Sequence, residues 1–199
     1  MGDVVLDITM SIDGFVAGPN DGPVGGGLGE SGEVLHYWVF GGPWTYDEPP
    51  GEIAPVGTDK QMLDEAAEAG ASVVGRRMYD ITNGWGGNPP FDLPTVVVTH
   101  RVEETPASTR FAFVNGIEAA VARAQELATG KDLYVGGGAS IAQQALQAGL
   151  VDRINLHVAP VLLGAGRPLF GELGTRLHVE PLRVIESAYA THLCYRVIK

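Results

Sequence analysis

Leu133-Tyr134-Val135-Gly136-Gly137-Gly138-Ala139-Ser140-Ile141 is the stretch whose reading decides the fold. With Asp132 it begins as a short, continuously apolar run, the signature of a strand covered on both faces. Three glycines follow, and the chain then reads as a helix to Ala148, stopped by Gly149. The same alternation extends toward the N-terminus. Strands are expected at Val4 to Met10, Ala71 to Val74 (ending at Gly75), Thr95 to Val98 and Phe111 to Val114. Helices are expected over Thr58 to Ala69, with Thr58 as N-cap and Gly70 as stop, and over Ile117 to Ala128. After Gly149 the style changes: Ile154 to Val158, Val179 to Ile185 and His192 to Ile198 read as strands without helices between them. The last two form an antiparallel edge hairpin. The expectation is one α/β domain over residues 1–199, its central sheet mixed but mostly parallel, flanked by helices and finished by that hairpin.

Bulk properties narrow the function. The 199 residues carry a net charge of −11 with only 13 Lys and Arg, so the surface repels phosphate backbones and a nucleic-acid partner is not expected. An anionic ligand would need a local basic pocket. Cys194 is the one cysteine and reads as a small core residue, which leaves no disulfide framework or cysteine metal cluster. The five histidines lack metal-ligand spacing, so no metal is expected. No run approaches the roughly 20 apolar residues of a membrane span, and the chain opens without a leader-like segment; a soluble, cytoplasmic protein is expected. From Gly18 to Gly57 glycine and proline are dense, broken by Val34 to Phe40, which reads as a short helix. Long loops of this kind in a compact domain are often binding loops or lids; the other reading is a disordered insertion, against which Trp38, Trp44 and Tyr46 argue.

In an open α/β sheet, ligands bind at the carboxyl ends of the strands. The unusual residues of this chain fall there. Strand 71–74 empties into Gly75, Arg76 and Arg77, and strand 95–98 into Thr99, His100 and Arg101. Strand 132–135 empties into Gly136, Gly137, Gly138, Ala139 and Ser140. A helix N-terminus suits a phosphate, and glycines let the anion approach the backbone. Neither the Gly-x-Gly-x-x-Gly fingerprint nor a P-loop is present. Three arginines at two neighbouring tips suit bidentate phosphate contact and bring more charge than NAD requires, so NADP is preferred.

Ser11-Ile12-Asp13-Gly14-Phe15-Val16-Ala17-Gly18, Gly75-Arg76-Arg77-Met78-Tyr79-Asp80, Gly136 to Ile141, and Pro160-Val161-Leu162-Leu163-Gly164-Ala165-Gly166 with Leu169-Phe170 form an ordered set. Together they resemble the riboflavin-biosynthesis reductase domain of the dihydrofolate-reductase-like superfamily, from about residue 3 to about residue 198. The resemblance implies an NADPH-dependent oxidoreductase acting on a small planar substrate, and a homodimer. It places Arg76 and Arg77 on the 2′-phosphate, with Thr99, His100 and Arg101 beside the adenosine. Gly137 to Ile141 then receive the pyrophosphate, and Thr9, Val16 and Ala17 meet the nicotinamide. The chain departs from dihydrofolate reductases proper at Met78, where a hydroxyl is usual, and in lacking a Trp-Pro context for a buried carboxylate between Leu28 and Phe40. The ribosylaminopyrimidine reductase reading needs a basic group near the nicotinamide. Pro19 to Gly57 holds no Lys or Arg, and Arg167 is the nearby exception.

Candidate proton donors are Glu33 and His36, three apart and so on one helical face, and His157 within a strand. Each also has a structural reading: a solvated first-turn carboxylate, a packed ring, a satisfied core histidine. Trp38, Trp44 and Tyr46 could cover a flat ring or simply be buried. A contrasting reading of the whole is an NADP-binding sensor that kept the cofactor site and lost turnover.

Overall fold

The structure is a computed structural model, and it describes residues 2–22, 26–48, 54–104, 110–171, 173–174 and 176–199. The strands are β1 (Val4–Ser11), β2 (Phe15–Ala17), β3 (Ala71–Gly75), β4 (Thr95–Val98), β5 (Phe111–Val114), β6 (Leu133–Gly137), β7 (Arg153–Ala159), β8 (Arg167–Pro168), β9 (His178–Glu186) and β10 (Thr191–Ile198). The α-helices are α1 (Tyr37–Phe40), α2 (Gly57–Ala67), α3 (Arg76–Ile81), α4 (Ile117–Ala128) and α5 (Ala139–Gln147). Eight strands form one sheet in the order β5-β4-β3-β6-β1-β7-β10-β9. The six from β5 to β7 run parallel, and β10 and β9 complete the sheet antiparallel. This is the mixed, mostly parallel α/β architecture expected from the sequence, with its C-terminal hairpin.

Alternation along the strands sorts the two faces. Leu6, Ile8, Val73, Val96 and Val135 point to one side, where α4 and α5 bury their alanine-rich stripes against them. On the other side, Val74, Val97 and Phe111 pack with Met78, Tyr79 and Trp85. Farther along that side, Trp38, Met62 and Ala190 form a cluster that holds α1 and α2 to the sheet. Each fully buried aliphatic side chain contributes roughly 1.5–3 kcal/mol.

Local boundaries differ from expectation for physical reasons. α2 begins at Gly57 behind Val56, with no side-chain cap; Thr58 Oγ1 instead donates to the Glu186 carbonyl (3.2 Å), tying the helix to β9. Gly70 marks a close crossing, since a Cβ there would lie 2.3 Å from the Ala128 carbonyl oxygen. The 34–40 segment is two pieces, a 3-10 turn over Gly32–His36 and then α1. Strand β6 continues through Gly136 and Gly137, so of the three glycines only Gly138 precedes the helix.

Candidate functional site

All parallel strands end at one edge of the sheet, so their tips line up in strand order. Across β4, β3, β6 and β1 the edge carries Thr99 to Arg101, then Arg76 and Arg77, then Gly138 with the first turn of α5, then the end of β1. Thr99 is buried, and its Oγ1 accepts from the Arg101 N–H (3.0 Å), which shapes the turn after β4. His100 is exposed, its Nδ1 2.9 Å from Asn115 Oδ1. Arg76 lies along Tyr79 and Phe113, with its guanidinium carbon 5.9 and 5.7 Å from their ring centres. Its Nε donates to Asp80 Oδ1 (2.7 Å), and Arg101 donates to the other Asp80 oxygen (3.1 Å). Two guanidinium groups from neighbouring tips therefore share one carboxylate.

A second sharing holds the early loop. Asp21 receives Arg167 in a bidentate pair (2.8 and 3.1 Å) and also Arg77 Nε (3.2 Å). Partial burial opposes ionisation of Asp21, but the hydrogen bonds and charges of Arg167 and Arg77 outweigh it and hold the carboxyl below its usual value. The basic residue that the loop itself lacks is thus supplied by β8. Asp13, expected as a turn residue, accepts from Ser11 Oγ and from the N–H groups of Leu163 (3.1 Å) and Gly164 (2.7 Å), which docks the segment after β7 onto the β1–β2 turn.

The glycines divide by role. A Cβ on Gly137 would lie 2.6 Å from Val74 Cβ and 2.9 Å from Met78 Sδ, and one on Gly75 2.9 Å from Ile141 Cγ1. Both serve packing. Gly138 has φ +86 and open space where a side chain would stand. The N–H of Ile141 is bonded to the Gly138 carbonyl (3.1 Å) and its side chain is buried in the core. The first-turn amides of α5 that do not bond the Gly138 carbonyl are those of Ala139 and Ser140, and the exposed Ser140 hydroxyl accepts from Gln144 (3.0 Å). Val16 packs on the main core, and Ala17 is buried against Arg167 on β8.

The middle of the other face holds a polar chain. His157 Nε2 is 3.1 Å from Asp7 Oδ1, His157 Nδ1 is 2.7 Å from His192 Nδ1, and His192 Nε2 is 2.9 Å from Asp59 Oδ1. Asp7 Oδ2 also accepts from Tyr134 OH and from Asn155 Nδ2. His157, His192 and Asp59 are all buried. Trp38 closes over them, its ring centre 4.3 Å from His157 and 5.2 Å from His192, and its Nε1 donates to Thr9 Oγ1 (3.0 Å). Burial resists the charge on Asp7, yet the His157 charge and the hydrogen bonds from His157, Tyr134 and Asn155 prevail and keep it ionised. Burial, then the charge of His157, lowers the pKa of His192 against the pull of Asp59.

Of the expected proton donors, only His157 lies in this chain. Glu33 and His36 sit half-buried on the 3-10 turn, and His36 is held neutral, its pKa lowered to about 4 by burial and then by the charge of His157. Trp38 belongs to the chain's cover rather than to a free ring-stacking surface. Sequence reading missed Asp7, Asp59 and His192. The available signal was a carboxylate in the middle of Val4-Val5-Leu6-Asp7-Ile8, where an apolar strand has no use for one unless it is paired.

Comparison with known proteins places this geometry. A model of the RibD C-terminal domain matches residues 3–193. The uncharacterized protein YyaP of Bacillus subtilis is 23% identical over 190 residues, covering 89% of this chain and 85% of that protein. Among solved structures, a protein assigned to riboflavin biosynthesis in Shewanella sp. PV-4 superposes with a TM-score of 0.70 at 23% identity, covering 99% of both chains. A pyrimidine reductase-like protein from Corynebacterium diphtheriae gives 0.62 at 17% identity, covering 100% of this chain and 92% of that one. RibD of Acinetobacter baumannii gives 0.61 at 16% identity, with this chain spanning 59% of its length. These likenesses are of fold. Among the described residues no helix is long and apolar enough to cross a membrane, and no cluster of His, Cys, Asp and Glu could hold a metal.

Proposed function

Since the chain belongs to the RibD C-terminal domain family, we propose that it is an NADPH-dependent reductase of a small planar substrate, of pterin, pyrimidine or related type. The observation that carries this reading is the order of the strand tips, β4, β3, β6, β1. Arginines, then the α5 N-terminus, then β1 follow in the order of adenosine phosphate, pyrophosphate and nicotinamide. Arg76 would exchange part of its contact with Asp80 for the 2′-phosphate, with Thr99, His100 and Arg101 flanking the adenosine; Arg77, expected beside Arg76, is held on Asp21 and would add its charge from there. The open space at Gly138 and the amides of Ala139 and Ser140 fit the pyrophosphate. Thr9, Val16 and Ala17 would border the nicotinamide. NADPH bound there supplies the hydride, and the protein supplies proximity, orientation and exclusion of water. The substrate would lie near the 3-10 turn that carries Glu33 and His36.

NADPH oxidation followed against a panel of pterins, deaminated aminopyrimidines and quinones tests the reading. Consumption with at least one of them is expected. Tight NADPH binding with no consumption by any would favour a sensor. The same family reading leads us to propose a homodimer, and Val179, Leu182 and Val184, exposed on the edge strand β9, are apolar surface available for it. Light scattering on the purified chain should then give twice 21.0 kDa, and a monomer mass would contradict it.

A further inference from the structure

We propose that Asp7, His157, His192 and Asp59 form a buried store holding one proton more than two neutral histidines carry, and that this proton neutralises the substrate anion left by hydride addition. The chain has three internal contacts, Asp7 to His157 (3.1 Å), His157 to His192 (2.7 Å) and His192 to Asp59 (2.9 Å). Each needs one hydrogen between its heavy atoms. Two neutral imidazoles bring only two, and carboxylates bring none. With both Nε2–H groups directed at the carboxylates, the two Nδ1 atoms would meet lone pair to lone pair, in a place that water does not reach. A third proton removes that conflict. Turning either ring over does not help, because both nitrogens of each histidine already face a partner.

The surroundings say where the third proton rests. Asp7 Oδ2 already accepts from Tyr134 and Asn155, so this carboxylate is anionic and its Oδ1 stabilises a charge on His157. The Trp38 ring lies over His157 with its plane tilted 34°, so the π face attracts an imidazolium, whereas His192 meets the indole at 73°. His157 is thus the imidazolium and His192 the neutral ring. The charged and titratable groups around the chain are Asp7 on β1, Tyr134 on β6, Arg153 on β7, Asp59 and Glu65 on α2, the Cys194 thiol on β10 with Arg183 of β9 against it, and His36 on the covering turn.

Place ties the store to the reaction. His157 stands opposite Thr9 in the β1–β7 register, and Trp38 bonds Thr9 while covering His157. At the other end, Tyr134 and Asn155 line an open cavity of about 610 Å³ shared with Lys131 and Arg153, so solvent reaches the groups that hold Asp7. The proton's use rests on the reductase reading. Hydride forms the new C–H bond, leaving oxidised NADP, and the π electrons of the substrate C=O or C=N move to the heteroatom. The third proton forms the O–H or N–H bond, leaving the chain from His157 on the side where β7 lies against Thr9. The chain falls from a net charge of minus one to minus two and regains a proton from water through the Tyr134 and Asn155 side.

Nitrogen-15 NMR of histidine-labelled protein, without cofactor or substrate, counts the ring protons directly. Three protonated nitrogens shared by His157 and His192 at neutral pH are expected, and two would overturn the store. Asp59→Asn keeps the acceptor but removes a charge, so the third proton should be lost at a lower pH than in the wild type. The alkaline limb of NADPH oxidation, with whichever panel substrate is consumed, should move by the same amount while NADPH binding stays within about twofold. An unmoved limb would overturn the supply role while leaving the reductase reading intact. Absence of any NADPH consumption would instead remove the supply role together with that reading, with the proton count still standing.

Discussion

At Gly137 there is no room for a methyl group. Val74 Cβ at 2.6 Å is backbone-anchored and cannot yield as the end of a flexible chain could. Gly137→Ala should therefore destabilise the fold by about 1–3 kcal/mol, read from denaturant unfolding. At Gly138 the same change meets open space and costs only the positive-φ backbone (φ 86, ψ 142), about 1–3 kcal/mol; equal binding of NADPH before and after it would argue against the α5 terminus as the anion site. His36 gives a pH signature. Its pKa falls from 6.5 unfolded to about 4 folded, so the unfolded chain binds the proton first. The stability this neutral ring contributes is fully present above pH 6.5 and is lost as pH falls toward 4. Part of the ring stays at the surface, so the loss is on the order of 2 kcal/mol rather than the full value of burial. Thermal melts between these limits should show it, and His36→Gln should flatten the slope; an unchanged slope would contradict the assignment. Of these residues the sequence disclosed the types but not the roles. The triple glycine was visible as an anomaly, yet which glycine serves packing and which faces solvent depends on Val74 and Met78, neighbours that only the folded sheet brings together.

Elements were more legible than residues. β4, β5 and α4 stand where apolar runs, turn residues and alanine periodicity put them, because local sequence alone records which of their residues face the core: Thr95, Val96 and Val97, Phe111, and the Ile117, Ala120, Val121, Ala124 and Ala128 stripe. Boundaries shifted where tertiary contacts replaced local signals: α2 starts without a cap because Thr58 is used on β9, and β6 overruns into the glycines because β3 pairs with it as far as Gly137. The early loop shows the same substitution of distant for local partners. Asp21 is held by Arg77 and Arg167, residues 56 and 146 positions away. Asp21→Asn should loosen that latch by about 1 kcal/mol, since both arginines are about half exposed and the pair is screened by solvent. Hydrogen exchange should then quicken at the Gly18 and Glu30 amides, which bond Leu28 and Pro19 within the loop. Unchanged protection would mean that backbone contacts alone hold it.

At the scale of the whole molecule, one sheet organises two polar assemblies that sequence distance conceals. The strand-tip row was foreseeable, because a parallel sheet must gather its carboxyl ends at one edge. The Asp7–His157–His192–Asp59 chain was not, because it joins β1, β7, β10 and α2 through a register that no local pattern encodes. An acidic protein with a net charge of −11 nonetheless focuses Arg76, Arg77 and Arg101 at that one edge, and the account stands or falls on what that local field binds. The most direct test is a fluorescence titration of the wild-type chain and of Arg76→Ala with NADPH and with NADH. The account predicts that the wild type prefers NADPH and that the substitution weakens NADPH binding roughly ten- to hundredfold, through loss of a charge-assisted phosphate contact, with NADH little changed. Equal binding of the two cofactors by the wild type, or of NADPH by both proteins, would contradict it.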